Sequence, residues 1–125
     1  MNYFSTAQKH ALKLKRHSRR LFNERIDTLN ARMDAQQATF EEKRELYLLA
    51  LSTRLLRAKF YSFPHYTNEE LSYIVGCSSG TYLGLIMTRQ KDPSPDLAKL
   101  MDDSLAELER LEGMQPIHQP PYPEK

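Results

Sequence analysis

Apolar residues return at spacings of three and four along most of this chain, and capping or turn residues interrupt them at regular places. Ala11, Leu14, Ser18, Phe22, Ile26, Leu29 and Met33 fall on one stripe, which predicts an amphipathic helix from about Thr6 to Met33 with Ser5 as its cap. Asp34-Ala35-Gln36-Gln37-Ala38 is a polar break that either ends that helix or bends it. Thr39-Phe40-Glu41-Glu42 then reads as a capping box, in which a Thr hydroxyl and a Glu carboxylate satisfy each other's free N–H groups. From Leu46 to Leu56 the pattern is apolar on most sides, so this helix is expected at the centre of the core, part of it covered by a second subunit. Pro64 forbids its continuation.

Thr67-Asn68-Glu69-Glu70 is a second capping box, followed by Leu71, Ile74 and Val75 and then by Gly76, the residue suited to a left-handed helix end. Ser78 can cap another short helix carrying Thr81, Tyr82 and Leu83. Two short helices joined by a tight glycine-containing turn constitute a helix-turn-helix. Gln90-Lys91-Asp92-Pro93 is a turn. Ser94 and Pro95 open a last helix, with Leu97, Leu100, Met101, Leu105 and Leu108 on its stripe and Gly113 at its end. Leu48, Leu49, Leu55, Ile74, Leu85, Leu97 and Leu100 are expected to be buried together.

These elements define an all-α fold class: long N-terminal helices followed by a helix-turn-helix bundle. Residues 1–38 form a basic amphipathic helix for dimerisation or DNA backbone contact, 39–113 the helix-turn-helix domain, and 114–125 a Pro-rich tail expected to be extended or disordered. The residues from Thr67 to Leu100 resemble the Cro/C1-type, lambda-repressor-like regulators. The resemblance rests on Thr67, Glu70-Leu71, Gly76-Cys77-Ser78, Thr81-Tyr82 and Pro93-Ser94-Pro95-Asp96-Leu97-Ala98-Lys99-Leu100. It covers roughly residues 55–112 and implies a second helix presented to the major groove of duplex DNA. The chain departs from that family where bases are usually read, with Ser79, Gly80 and Gly84 in place of long polar side chains. Ser78, Ser79, Thr81, Tyr82, Arg89 and Lys91 remain as DNA contacts. The order Tyr47-Leu48-Leu49-Ala50, Arg54-Leu55-Leu56, Asn68-Glu69-Glu70-Leu71 and Thr88-Arg89-Gln90 is also similar to the all-helical subunit of the flagellar transcriptional activator, which implies work with a partner subunit.

Charge sharpens this picture. Residues 1–33 hold eight Lys/Arg against Glu24 and Asp27, a net of +6, whereas residues 92–125 carry a net of −5. Such asymmetry points to a polyanionic partner for the basic end or to head-to-tail pairing. Lys9, Lys13, Arg16 and Arg20 cluster opposite the apolar stripe of the first helix. They are either a solvated outer face or a row of phosphate contacts. No run of eighteen apolar residues occurs, and the first residues lack the apolar core of a signal peptide, so the expected location is cytoplasmic with no membrane contact.

Enzymatic chemistry finds no support. His10, His17, His65 and His118 lack metal-ligand neighbours at helical spacing, and no motif supplies a base for the lone Cys77. Glu41, Glu42 and Glu45 open a helix, where acids favour the dipole. Gly76, Gly80 and Gly84 are not followed by the Lys-Ser/Thr pair of a phosphate loop. No catalytic residue, metal or cofactor is expected. The sequence reads as a DNA-binding transcriptional regulator of bacterial, plasmid or phage type and a homodimer, or alternatively as a helical adaptor for a partner transcription factor or other protein.

Overall fold

The computed structural model describes residues 16–34 and 37–124, with side chains from Glu24 onward except at Asp34. Among the described residues the chain is all-helical, with five helices: α1 (Arg16–Asp34), α2 (Phe40–Tyr61), α3 (Asn68–Val75), α4 (Gly80–Met87) and α5 (Pro95–Leu111). None is long and apolar enough to cross a membrane. The part of the expected first helix before Arg16 lies outside the described residues.

Local signals set most boundaries. Thr39 is the extended N-cap of α2, with both bonds of its capping box formed. The polar break before it is therefore a true helix end rather than a bend. Thr67 caps α3 in the same way and Ser94 caps α5, where Pro95 sits in the first turn, but α4 is capped by Ser79 and not by the expected Ser78, since it is the Ser79 hydroxyl that accepts from the Tyr82 N–H. Each such cap contributes on the order of 1 kcal/mol.

Two apolar clusters divide the packing. The larger gathers Tyr47, Leu48, Leu51 and Leu55 of α2 with Leu71 and Val75 of α3, Leu83 and Ile86 of α4, and Ala98, Met101 and Leu105 of α5. The smaller joins Leu29 of α1 to Leu46 and Leu49 of α2, with Ile26 and Met33 at its edge. Arg25 pairs with Glu45 and Arg32 with Glu42, so α1 folds back antiparallel along α2.

Several expectations change here. Leu49 belongs to the smaller cluster, not to the common core. Ile74 and Leu97 are only partly buried against the large cluster, and Leu85 is half-buried. Leu100 is 50 % exposed, because its side chain lies over Gly76 at the surface of the bundle. The wide apolar face of residues 46–56 is covered within the chain, by α1 on one side and by α3, α4 and α5 on the other. It does not call for a second subunit.

Residues 114–124, expected to be extended or disordered, form the last described segment. They run without helix back along α2 and α5, burying Met114 and Pro120. Gln119 donates from Nε2 to the Tyr47 carbonyl at 2.9 Å, and the Tyr122 ring meets the Tyr47 ring edge-on at 4.9 Å. Proline removes donors that a surface strap would otherwise leave unpaired, which lets a Pro-rich segment lie flat on the bundle.

Beneath that strap Arg54, only 3 % exposed, donates to Asp102 and Glu109 of α5 and to the side-chain Oε1 of Gln119. Burial disfavours its charge, but the bonds to Glu109 and Asp102 outweigh that and raise its pKa further. Arg57 shares Glu109 and reaches the Gln115 carbonyl. Removing one member of a buried ion cluster leaves the others uncompensated, at a cost of about 3–5 kcal/mol. Arg54→Ala should therefore lower the urea midpoint far more than Arg25→Ala, because the Arg25–Glu45 pair is exposed and solvent screens it. Equal losses in the two variants would show that the Arg54 cluster does not hold the bundle.

Candidate nucleic-acid interface

The α3–turn–α4 pair is built by two close approaches. Gly76 ends α3 at φ +79, its N–H donating to the Ser72 carbonyl. A side chain there would be resisted by the left-handed backbone, and it would displace the end of the Leu100 side chain, whose Cδ2 lies 2.6 Å from the place a Cβ would take. The turn then brings the first residue of α4 back against the start of α3. A Cβ on Gly80 would stand 2.7 Å from the Glu69 backbone nitrogen, so only glycine lets the helices meet there. The Gly80 N–H donates to Glu69 Oε1 at 2.9 Å, and Gly84 faces the Asn68 amide.

Sequence reading took these glycines as lost base-reading positions. The structure gives Gly80 a packing role, visible beforehand only as a small residue at a helix start. Glu69 is the other feature that reading missed: its carboxylate occupies a free N–H of α4, where the positive end of the helix dipole would otherwise face an anion.

The expected contact residues are spread over different environments. Ser78 in the turn and Thr81 in the first turn of α4 are exposed. Ser79 uses its hydroxyl to accept from the Tyr82 N–H at 3.1 Å. Tyr82 is half-buried against the core and helps line an open cavity of about 800 Å³ with Phe40, Arg44, Lys99 and Tyr122. Arg89 takes a left-handed backbone (φ 64) and pairs with Asp92, which also binds Arg44 at 2.7 Å. Burial would raise the Asp92 pKa, but the bonds from Arg89 and Arg44 outweigh it and hold the carboxyl below the usual carboxylate range. Lys91 is exposed beside this loop.

Two of the four basic-stripe residues fall on a described helix. Arg16 and Arg20 lie on the α1 backbone, while Lys9 and Lys13 fall outside the described residues. α1 packs on α2 through the smaller apolar cluster, and α4 belongs to the larger one. Residues 40–124 carry nine Lys/Arg against thirteen Asp/Glu, a net of −4. The helical core is thus acidic, and cationic character resides in the segment that precedes it.

Cys77 is buried as a packed side chain of the turn. Among the described residues no three His, Cys, Asp or Glu side chains stand together in a group that could hold a metal ion. Comparison with protein-family models, with curated proteins and with solved structures found no match to this chain.

The glycine contacts generate a direct test. Gly80→Ala must move backbone rather than a flexible side-chain end, so it should cost about 1–3 kcal/mol, read as a lower midpoint in urea. Gly84→Ala meets only the Asn68 side chain at 3.2 Å. There alanine's helix preference of roughly 1 kcal/mol offsets the tight contact, and stability should stay nearly unchanged. Equal tolerance at both positions would contradict the close approach of α3 and α4.

Proposed function

We propose that this protein is a DNA-binding regulator in which α3 and α4 form a helix-turn-helix and the basic segment of residues 1–33 supplies most of the affinity. The observation that carries the reading is the α3–turn–α4 pair itself: two capped helices, locked by Gly76 and Gly80, with Ser78 and Thr81 exposed at the leading end of α4. Lys9, Lys13, Arg16 and Arg20 would track phosphates, and α4 would approach the major groove. With Thr81 exposed in its first turn and Thr88 exposed at its C-cap, α4 offers short hydroxyl contacts rather than bidentate ones. Base discrimination is therefore expected to be weak. Pairing of two copies, which a two-half-site operator requires, belongs to this proposal and draws no support from α2.

A second reading is favoured by a specific observation. The Glu69 carboxylate at the start of α4 and the acidic core both oppose a polyanion. A helical adaptor that docks on a partner protein fits them.

Mobility shifts on random duplex DNA across a salt series separate the two. On the DNA reading, affinity falls steeply with salt, since each phosphate contact releases condensed counterions. Lys13→Ala combined with Arg16→Ala should then weaken binding to all sequences alike and flatten the salt slope by roughly one to two units. Absence of any salt-dependent shift in the unmodified protein would overturn the DNA reading in favour of the adaptor.

A further inference from the structure

Four segments meet around the open cavity beside α4: the start of α2, Tyr82 of α4, the loop leading into α5, and the end of the strap. Its volume of about 800 Å³ falls within the range of about 300–1,000 Å³ typical of small-molecule sites. The apolar lining is built of rings. Phe40, Tyr82 and Tyr122 are aromatic, and Pro93, Pro95 and Pro123 supply the rest. Among the described residues no leucine, isoleucine or valine lines it. The aromatic walls are held in place: Tyr122 meets Tyr47 edge-on at 4.9 Å, and both Tyr82 and Tyr122 pack against the larger apolar cluster.

Charge gives the lining a direction. Both of its acids face arginine, since Asp92 binds Arg44 at 2.7 Å and also pairs with Arg89, while Glu41 stands 4.0 Å from Arg44. Lys99 lines the same cavity, and its ammonium forms no ion pair among the described residues. The uncommitted charge at the cavity is therefore positive. Two helices also begin on its wall, α2 at Phe40 and α5 at Pro95. Helix starts favour negative charge, so they act in the same sense as Lys99. An anion is the complement that this lining lacks, and a flat ring system fits walls made of rings. A Pro-rich peptide also suits aromatic clefts, but here the chain's own Pro-rich strap already forms one wall through Tyr122 and Pro123.

We propose that this cavity is a binding site for a small aromatic anion, of the aromatic carboxylate class, with its rings among Phe40, Tyr82 and Tyr122 and its charge on Lys99. The site goes beyond the DNA-binding reading and does not rest on it.

The test uses naphthoate, whose fluorescence reports its surroundings, with the neutral naphthamide as its uncharged match and octanoate as an anion without rings. The full-length protein should bind one equivalent of naphthoate, about three- to tenfold more tightly than naphthamide, as expected when a charge-assisted contact replaces a neutral one. Octanoate at equal concentration should not displace it. Lys99→Gln should bring acid and amide to equal affinity with the melting curve unchanged, since the side chain is exposed. Lys91→Gln, at an exposed lysine outside the lining, should keep the preference for the acid. Equal affinity of the unmodified protein for acid and amide would overturn the anion site, as would a Lys99→Gln variant that still prefers the acid. Displacement by octanoate would overturn the role of the rings, and displacement by an oligoproline peptide would make the cavity a peptide groove instead. Absence of saturable naphthoate binding would overturn the site altogether.

Discussion

A single buried guanidinium ties the bundle together. Arg54 sits in the middle of the apolar run of α2, yet it reaches Asp102 and Glu109 on α5 and Gln119 on the returning strap. A charge that far from water persists only where its donors are met, and here three partners from two other segments meet them. Asp102 and Glu109 are seven residues apart, so one face of α5 must turn toward α2. Tyr47, one side of the same junction, donates to the Ala98 carbonyl at 3.2 Å. Burial and the nearby Asp102 charge push its phenol pKa up, which keeps it a donor across the working pH range. Register of α2, α5 and the tail is thereby fixed together, and α3 and α4 pack into the space that remains.

Much of this was legible in the sequence. Caps at Thr39, Thr67 and Ser94 and the stop at Gly76 follow from local chemistry, because a side-chain oxygen meets its own helix end within three residues, whereas the choice of Ser79 over its neighbour Ser78 as the cap of α4 does not. Helix existence and the core positions of α2 likewise follow from periodicity. What depends on distant partners was not legible. Arg54 inside an apolar run was a visible anomaly, but its partners lie about fifty residues away. The Pro-rich tail has the composition of a disordered end, and only Gln119 and Tyr122 finding Tyr47 make it a strap. Leu100 fits the α5 stripe by spacing, yet it lies at the bundle edge, over a glycine that offers no side chain to bury it.

The candidate site was legible in placement and not in chemistry. Residues 67–87 do form two short helices around a glycine turn, as their caps demand. The roles of Gly80 and Glu69 emerge only from their mutual contact across the turn, and Tyr82 proves to be largely a packing residue. On the proposed reading the division of labour is electrostatic: an acidic, tightly braced core positions a sparsely furnished helix, and a separate basic segment supplies attraction to phosphate. That arrangement makes affinity salt-sensitive and sequence preference shallow.

The measurement that bears most directly on this division is amide hydrogen exchange of the full-length chain with and without duplex DNA. The account expects slowed exchange in two places on DNA addition: within residues 1–33, and at the turn and first residues of α4, from Ser78 to Tyr82. Protection of residues 1–33 alone, with the α3–α4 turn unchanged, would contradict it.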